Sequence, residues 1–169
     1  MTTGKLSSEP LTNADVLRIL SQQSDAGNAL VIAGLLEDEL EKLLLGAGRQ
    51  LSNKTAKAIF GGMGPLSTFS AKIEVAYMFE LIDETARNDL ATIKTVRNAF
   101  AHTTRSVHFD SSHFEKECRK LSNWVDGMKN KDCYLGRSRE CYNLIRKKLD
   151  ELIYSKAIAE GPFVVSDDD

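Results

Sequence analysis

The chain has 169 residues, 42% of them hydrophobic and 27% charged, with a formal net charge of −2. This length suits one domain with a real core, and the composition is that of an ordinary soluble globular protein. Its longest apolar run, Ala29 to Leu36, is far too short to cross a bilayer, which excludes a membrane-spanning helix.

The N-terminus has no basic region followed by an apolar stretch, so no secretory signal is expected. Cys118, Cys133 and Cys141 are odd in number and form no C-x-x-C pair, which fits reduced, inert thiols in a cytoplasmic protein. The small net charge hides an uneven distribution. Residues 1–85 carry 7 basic and 11 acidic groups, residues 86–148 carry 14 and 7, and residues 149–169 carry 1 and 6. The basic middle either meets phosphates or an acidic partner, or is neutralised by the acidic first helices. No Lys/Arg run exceeds three residues (Arg146-Lys147-Lys148), which favours neutralisation.

In chain order, residues 1–10 are polar and expected to be disordered, 11–158 form the helical domain, and 159–169 form an acidic flexible tail. Thr12-Asn13-Ala14-Asp15 has the spacing of a capping box and opens a short helix with Val16, Leu17 and Leu20 inward. Gly27 separates it from a long helix whose stripe is Ala29, Ile32, Ala33, Leu36, Leu40, Leu43 and Leu44, stopped by Gly46 and Gly48. Residues 49–60 predict a shorter helix running into Gly61-Gly62-Met63-Gly64-Pro65. That loop lacks both the Walker lysine and the G-x-G-x-x-G spacing, so it reads as a tight turn and not a nucleotide cradle.

The next helix is predicted to reach about Ile82, burying Phe69, Ile73, Ala76, Tyr77 and Leu81. Asp83 or Thr85 starts the helix that ends near His102, and Arg105 to Phe109 is a short extended connector. Ser112-His113-Phe114-Glu115 has capping-box spacing and opens a helix with Phe114, Cys118, Leu121 and Val125 inward. Asn130 to Gly136 reads as a turn, followed by a last helix with Cys141, Leu144, Ile145, Leu149, Leu152 and Ile153 on its buried stripe. Nothing alternates with period two over a useful length. The expected fold is an all-α, single-domain bundle of six or seven helices.

Arg97-Asn98-Ala99-Phe100-Ala101-His102 is the richest chemistry in the chain. Leu90, Ile93, Arg97 and Phe100 fall in one helical phase, so Arg97 occupies a core position and needs a partner or a solvent-lined groove. The nearest acidic cluster on a long helix is Glu37, Asp38 and Glu41. Asn98 and His102 are i and i+4 neighbours, and His102 can change its charge near neutral pH. The bland reading is an ion-paired Arg and a His capping a helix C-terminus.

Arg-polar-x-x-x-His resembles the signature of the HEPN families, small helical domains that include RNA-cleaving toxins and inactive relatives. The stretch from Phe60 to Ile73, with its GPLSTFSAKI string, followed by Tyr77, Leu81-Ile82 and Arg97 to His102, resembles the mannitol operon repressor (MltR) family. The Ala33 to Leu44 helix is similar to that family's first long helix, and the likeness covers about residues 28–109. The resemblance implies a cytoplasmic transcriptional regulator, of repressor type, that works as a homodimer through protein contacts. Arg97, His102, Glu37, Asp38 and Phe69 are then the candidate binding residues.

The enzymatic alternative is a metal-independent endoribonuclease in which an RNA 2′-hydroxyl attacks the adjacent phosphate. His102 moves protons, Arg97 stabilises the transition-state charge, and Asn98 orients them. On one helix Arg97 and His102 lie about 140° apart, so such a site needs two copies across a two-fold axis. A third reading is an inert HEPN relative acting as a binder. No cofactor is implied. His102, His108, His113 and Cys118 are spaced by five or six, which is not metal-ligand spacing. No basic, exposed second helix suggests a helix-turn-helix, so direct DNA binding is not expected, whereas RNA is a possible partner.

Overall fold

The computed structural model of the protein describes residues 24–102 and 107–159. The expected helix at Thr12 to Leu20, the disordered start and the acidic tail from Glu160 lie outside the described residues. Within them are six α-helices and no strand: α1 (Asp25–Ala47), α2 (Asn53–Phe60), α3 (Phe69–Met78), α4 (Glu84–His102), α5 (Ser112–Cys118) and α6 (Asn130–Ala159). The protein is an all-α bundle. No helix among the described residues is long and apolar enough to cross a membrane.

The central helix is α1, which packs on α6, α4 and α3. Ser24 caps its start by accepting the Gly27 amide at 3.1 Å, and the Gly48 amide closes its end on the Leu44 carbonyl at 3.0 Å. Gly27 therefore lies inside the first turn and does not precede the helix. Ala29, Ala33, Leu36, Leu40 and Leu43 are fully buried along one stripe. Each leucine there contributes about 1.5–3 kcal/mol of burial.

The longest helix, α6, runs parallel to α1. Asp25 meets Lys131, the Ala29 carbonyl meets Tyr134, Glu39 meets Arg146, and the Gly48 carbonyl meets Lys156, in step along both chains. Fully buried Tyr134 donates its hydroxyl to the Ala29 carbonyl at 3.1 Å, with the Ile93 carbonyl at 3.5 Å. Burial pushes that phenol well above its ordinary range.

Four further sequence expectations are corrected. Asn130 to Gly136 is the first part of α6 and not a turn, because Cys133 and Tyr134 are fully buried and their packing outweighs the turn-forming composition. Leu144 and Ile153 are exposed, since the helix begins earlier and its buried stripe runs through Ser138, Cys141, Ile145 and Leu149. The helix expected to be capped by Ser112 instead begins at Ser112 with Ser111 as its cap, which makes no side-chain cap bond; it stops at Cys118, and Val125 lies exposed beyond it. Finally, α3 stops at Met78, four residues before Ile82, and Tyr77 is exposed with the Arg87 guanidinium 4.9 Å from its ring centre.

Asp25 joins three elements at the base of the bundle. Its carboxylate accepts the Phe109 amide at 3.0 Å and the Lys131 ammonium at 2.9 Å. Burial alone would raise its pKa, but the Phe109 amide and then Lys131 outweigh that and hold it below the ordinary value of 3.8. A carboxyl whose folded pKa is depressed stabilises the fold above the unfolded pKa and loses that contribution as pH falls through the folded value. Asp25→Asn is therefore expected to cost about 2 kcal/mol in urea unfolding at pH 7. The gap from the parent protein should narrow below about pH 4. A gap that stays constant into acid would contradict the linkage.

Candidate functional site

The loop after α2 sets the geometry. Gly62 takes a left-handed φ of 55°, and Gly64 packs its α-carbon against the carbonyls of Ala58 and Ile59, where a side chain has no room. The Leu66 amide then bonds back to the Ile59 carbonyl at 2.9 Å. This fold-back delivers Ser67 and Thr68 to the start of α3, where the Thr68 hydroxyl accepts the Ala71 amide at 3.2 Å.

Between that start, α1 and α4 lies an open groove of about 320 Å³, lined by Glu37, Ser67 to Ser70, Lys94, Arg97 and Asn98. The charges form an alternating ladder. Lys72, almost fully buried on α3, meets Glu41 at 2.9 Å and Glu37 at 3.4 Å. Glu37 in turn meets the Arg97 guanidinium at 3.4 Å, so one carboxylate serves two cations. The Arg97 side chain remains 28% exposed, which places it on the groove wall and not inside the core. One turn earlier on the same helix, the Lys94 ammonium donates to the Ser70 hydroxyl at 2.5 Å. Among the described residues Lys94 meets no carboxylate.

The predicted site residues are thus divided. Arg97, Asn98, Glu37 and Phe69 come together, with Phe69 buried at the groove base. Asp38 is exposed on α1 and does not line the groove, because neighbouring helix positions point about 100° apart. His102 is exposed as the last residue of α4, outside the groove, and its side chain bonds to no described residue. Lys94 and Ser70 were missed by sequence reasoning. Lys94 carried a signal, being three residues before Arg97 and so on its face. Ser70 carried none, since its partner is 24 positions away.

The wider electrostatics follow the same plan. The acids of α1 meet basic groups of the middle segment: Glu37 with Arg97, Asp25 with Lys131, and Glu39 with Arg146. The thiols offer no nucleophile at neutral pH, since burial pushes Cys118 and Cys141 up to about 12 and Cys133 up to about 11. Among the described residues, no three His, Cys, Asp or Glu side chains converge as metal ligands.

No protein-family model matches the sequence, and no curated protein matches it. Among solved structures, the chain is similar to a chain of the MtlR–HPr complex from Escherichia coli. The TM-score is 0.57 at 13% identity, over 83% of this chain and 96% of that one. It is also similar to YggD from Shigella flexneri 2a, described as a possible transcriptional regulator. There the TM-score is 0.57 at 12% identity, over 86% of this chain and 99% of the other. These likenesses establish a shared fold across nearly the whole length of both neighbours.

Proposed function

We propose that this chain is a cytoplasmic transcriptional regulator of the MltR-like, repressor type, which acts by contacting another protein and carries no DNA-reading element of its own. Two folds that match it support the reading, one solved as a complex with HPr and one described as a possible transcriptional regulator. The observation that carries it is the engagement of Arg97. Glu37, itself shared with Lys72, holds the guanidinium that a phosphate-cleaving site would need free. The groove beside it offers Lys94, Asn98 and three hydroxyls on rigid helix ends, a surface suited to an acidic or hydroxyl-bearing side chain of a partner.

The test is a deletion strain complemented with the wild-type chain or with Lys94→Glu. Wild type should restore the transcript level of a defined operon, and the variant should not, at equal abundance and helicity. The purified chain alone should leave that operon's promoter DNA unshifted in a gel. An unchanged transcript profile on deletion, or a promoter shift by the chain alone, contradicts the proposal.

One observation favours a second reading. His102 stands exposed at the end of α4, free to meet a second chain or an RNA backbone. As a metal-independent endoribonuclease, the protein would use His102 to move the proton of a 2′-hydroxyl, with Arg97 released from Glu37 to hold the phosphate and Asn98 to orient it.

A further inference from the structure

Between Glu41 and Glu74 the sequence carries no acidic residue, while Lys42, Arg49, Lys54, Lys57 and Lys72 give it five basic ones. The net acidity of residues 1–85 hides this stretch. Lys42 is paired with Glu39, and Lys72 with Glu41 and Glu37. Lys54 and Lys57 are exposed three positions apart on α2, on one helix face, and meet no carboxylate among the described residues.

The loop after α2 joins that basic face to the groove. At its root the Gly61 amide bonds to the Lys57 carbonyl at 3.0 Å. Three further bonds close it: the Gly64 amide to the Gly61 carbonyl at 2.9 Å, Leu66 to Ile59 at 2.9 Å, and Ser67 to Gly64 at 3.1 Å. Met63 stands fully exposed within this turn. Single exposed apolar residues are common, but Gly62 and Gly64 fix the backbone on either side of this one. A knob held in this way loses little freedom on binding, and a thioether adapts to an irregular socket. Ser67, just past the turn, lines the groove in which Lys94 meets no carboxylate and Glu37 is already shared by two cations.

We infer, on the reading of the chain as a protein-contacting regulator, that this surface receives the partner, which presents carboxylates around a small apolar socket. Met63 fills the socket, and Lys54, Lys57 and Lys94 meet the acids. Charge complementarity of this kind sets specificity and association rate. Single-stranded RNA would need exposed aromatic platforms, and the nearest rings, Phe60 and Phe69, are buried. A lipid surface would need a broad apolar face, whereas Met63 stands beside a hollow lined by hydroxyls.

Photocrosslinking in the native host tests this, with benzoylphenylalanine at position 63 of the full chain. The expected product is one protein, cross-linked through a face rich in Asp and Glu. That protein, purified, should bind the chain, and Met63→Glu or the pair Lys54→Glu and Lys57→Glu should each weaken binding about tenfold or more. Met63→Leu should bind nearly as wild type, and all variants should keep the wild-type circular dichroism. Crosslinks only to RNA, to lipid or to a second copy of this chain overturn the proposal, as does no crosslink at all. A basic cross-linked face, or binding indifferent to Met63→Glu, does so as well. A transcript that Met63→Glu restores as fully as wild type rejects this surface and leaves the regulator reading standing. An acidic partner captured at position 63, with no transcript altered by deletion, supports the surface and rejects the regulator.

Discussion

Asp89→Ala is expected to cost the fold about 3–5 kcal/mol, the range for breaking a buried ion pair by removing one partner. Asp89 is 1% exposed on α4, and its carboxylate is fully used. One oxygen accepts the Ser122 amide at 2.8 Å; the other accepts the Ser122 hydroxyl at 2.7 Å and the Arg137 guanidinium at 2.6 Å. A single side chain thus ties the helix bearing Lys94 and Arg97 to α6 and to the segment before it. Alanine leaves the Ser122 amide and hydroxyl without their acceptor, although Glu140 still holds Arg137 at 2.7 Å. In a chain of this length the loss should lower the melting temperature by roughly 10 °C. Arg137→Leu added to Asp89→Ala should cost less than the two single changes summed, since the pair is coupled. A drop of only a degree or two would mean that the network contributes little.

Gly64→Ala should come close behind, at roughly 3 kcal/mol, the upper end for an overpacked site. A methyl group on Gly64 would lie 2.5 Å from the Ala58 carbonyl oxygen and closer still to that of Ile59, and backbone cannot rotate aside as a side chain does. The loop must open, which breaks the bond from the Leu66 amide to the Ile59 carbonyl and shifts Ser67 and Thr68 away from Lys94. Gly62→Ala makes a useful comparison, because its added carbon meets open space and only the left-handed φ of 55° resists it, at about 1 kcal/mol. Thermal melts of the two variants should differ by several degrees. Equal melts would show that the contact at Gly64 is relieved by a small backbone shift.

Much of the architecture was legible because α1 repeats one apolar face from Ala29 to Leu44, and α4 does so from Leu90 to Phe100. Such long, regular stripes leave one answer for element type. Reading failed where burial overrode local chemistry. Asn130, Lys131, Asp132 and Gly136 are turn-forming residues, yet Tyr134 among them is fully buried against α1 and α4 and carries the segment into a helix. Tyr77 and Val125 sat in apolar phase but fall at or beyond helix ends, where the phase no longer faces the core.

The same distinction runs through the site. Glu37 could be named as a neighbour of Arg97 because both lie on long helices with readable faces, whereas Asp38 shares the cluster but not the direction. The contact between Lys94 and Ser70 depends on the fold-back at Gly64, which no periodicity encodes. The pairing of the basic middle with α1 was readable only as a balance of charges. Which carboxylate met which cation followed from the parallel register of α1 and α6.

The role proposed for Arg97, Asn98 and His102 is non-catalytic. Its most direct test is incubation of the purified chain with total RNA in the presence of EDTA, read by the integrity of the RNA over several hours. Intact RNA is expected at micromolar protein, for wild type and for Glu37→Gln, the variant that frees Arg97 from its carboxylate. RNA cleavage that His102→Ala abolishes while leaving the circular dichroism spectrum unchanged would contradict it and make the protein a ribonuclease.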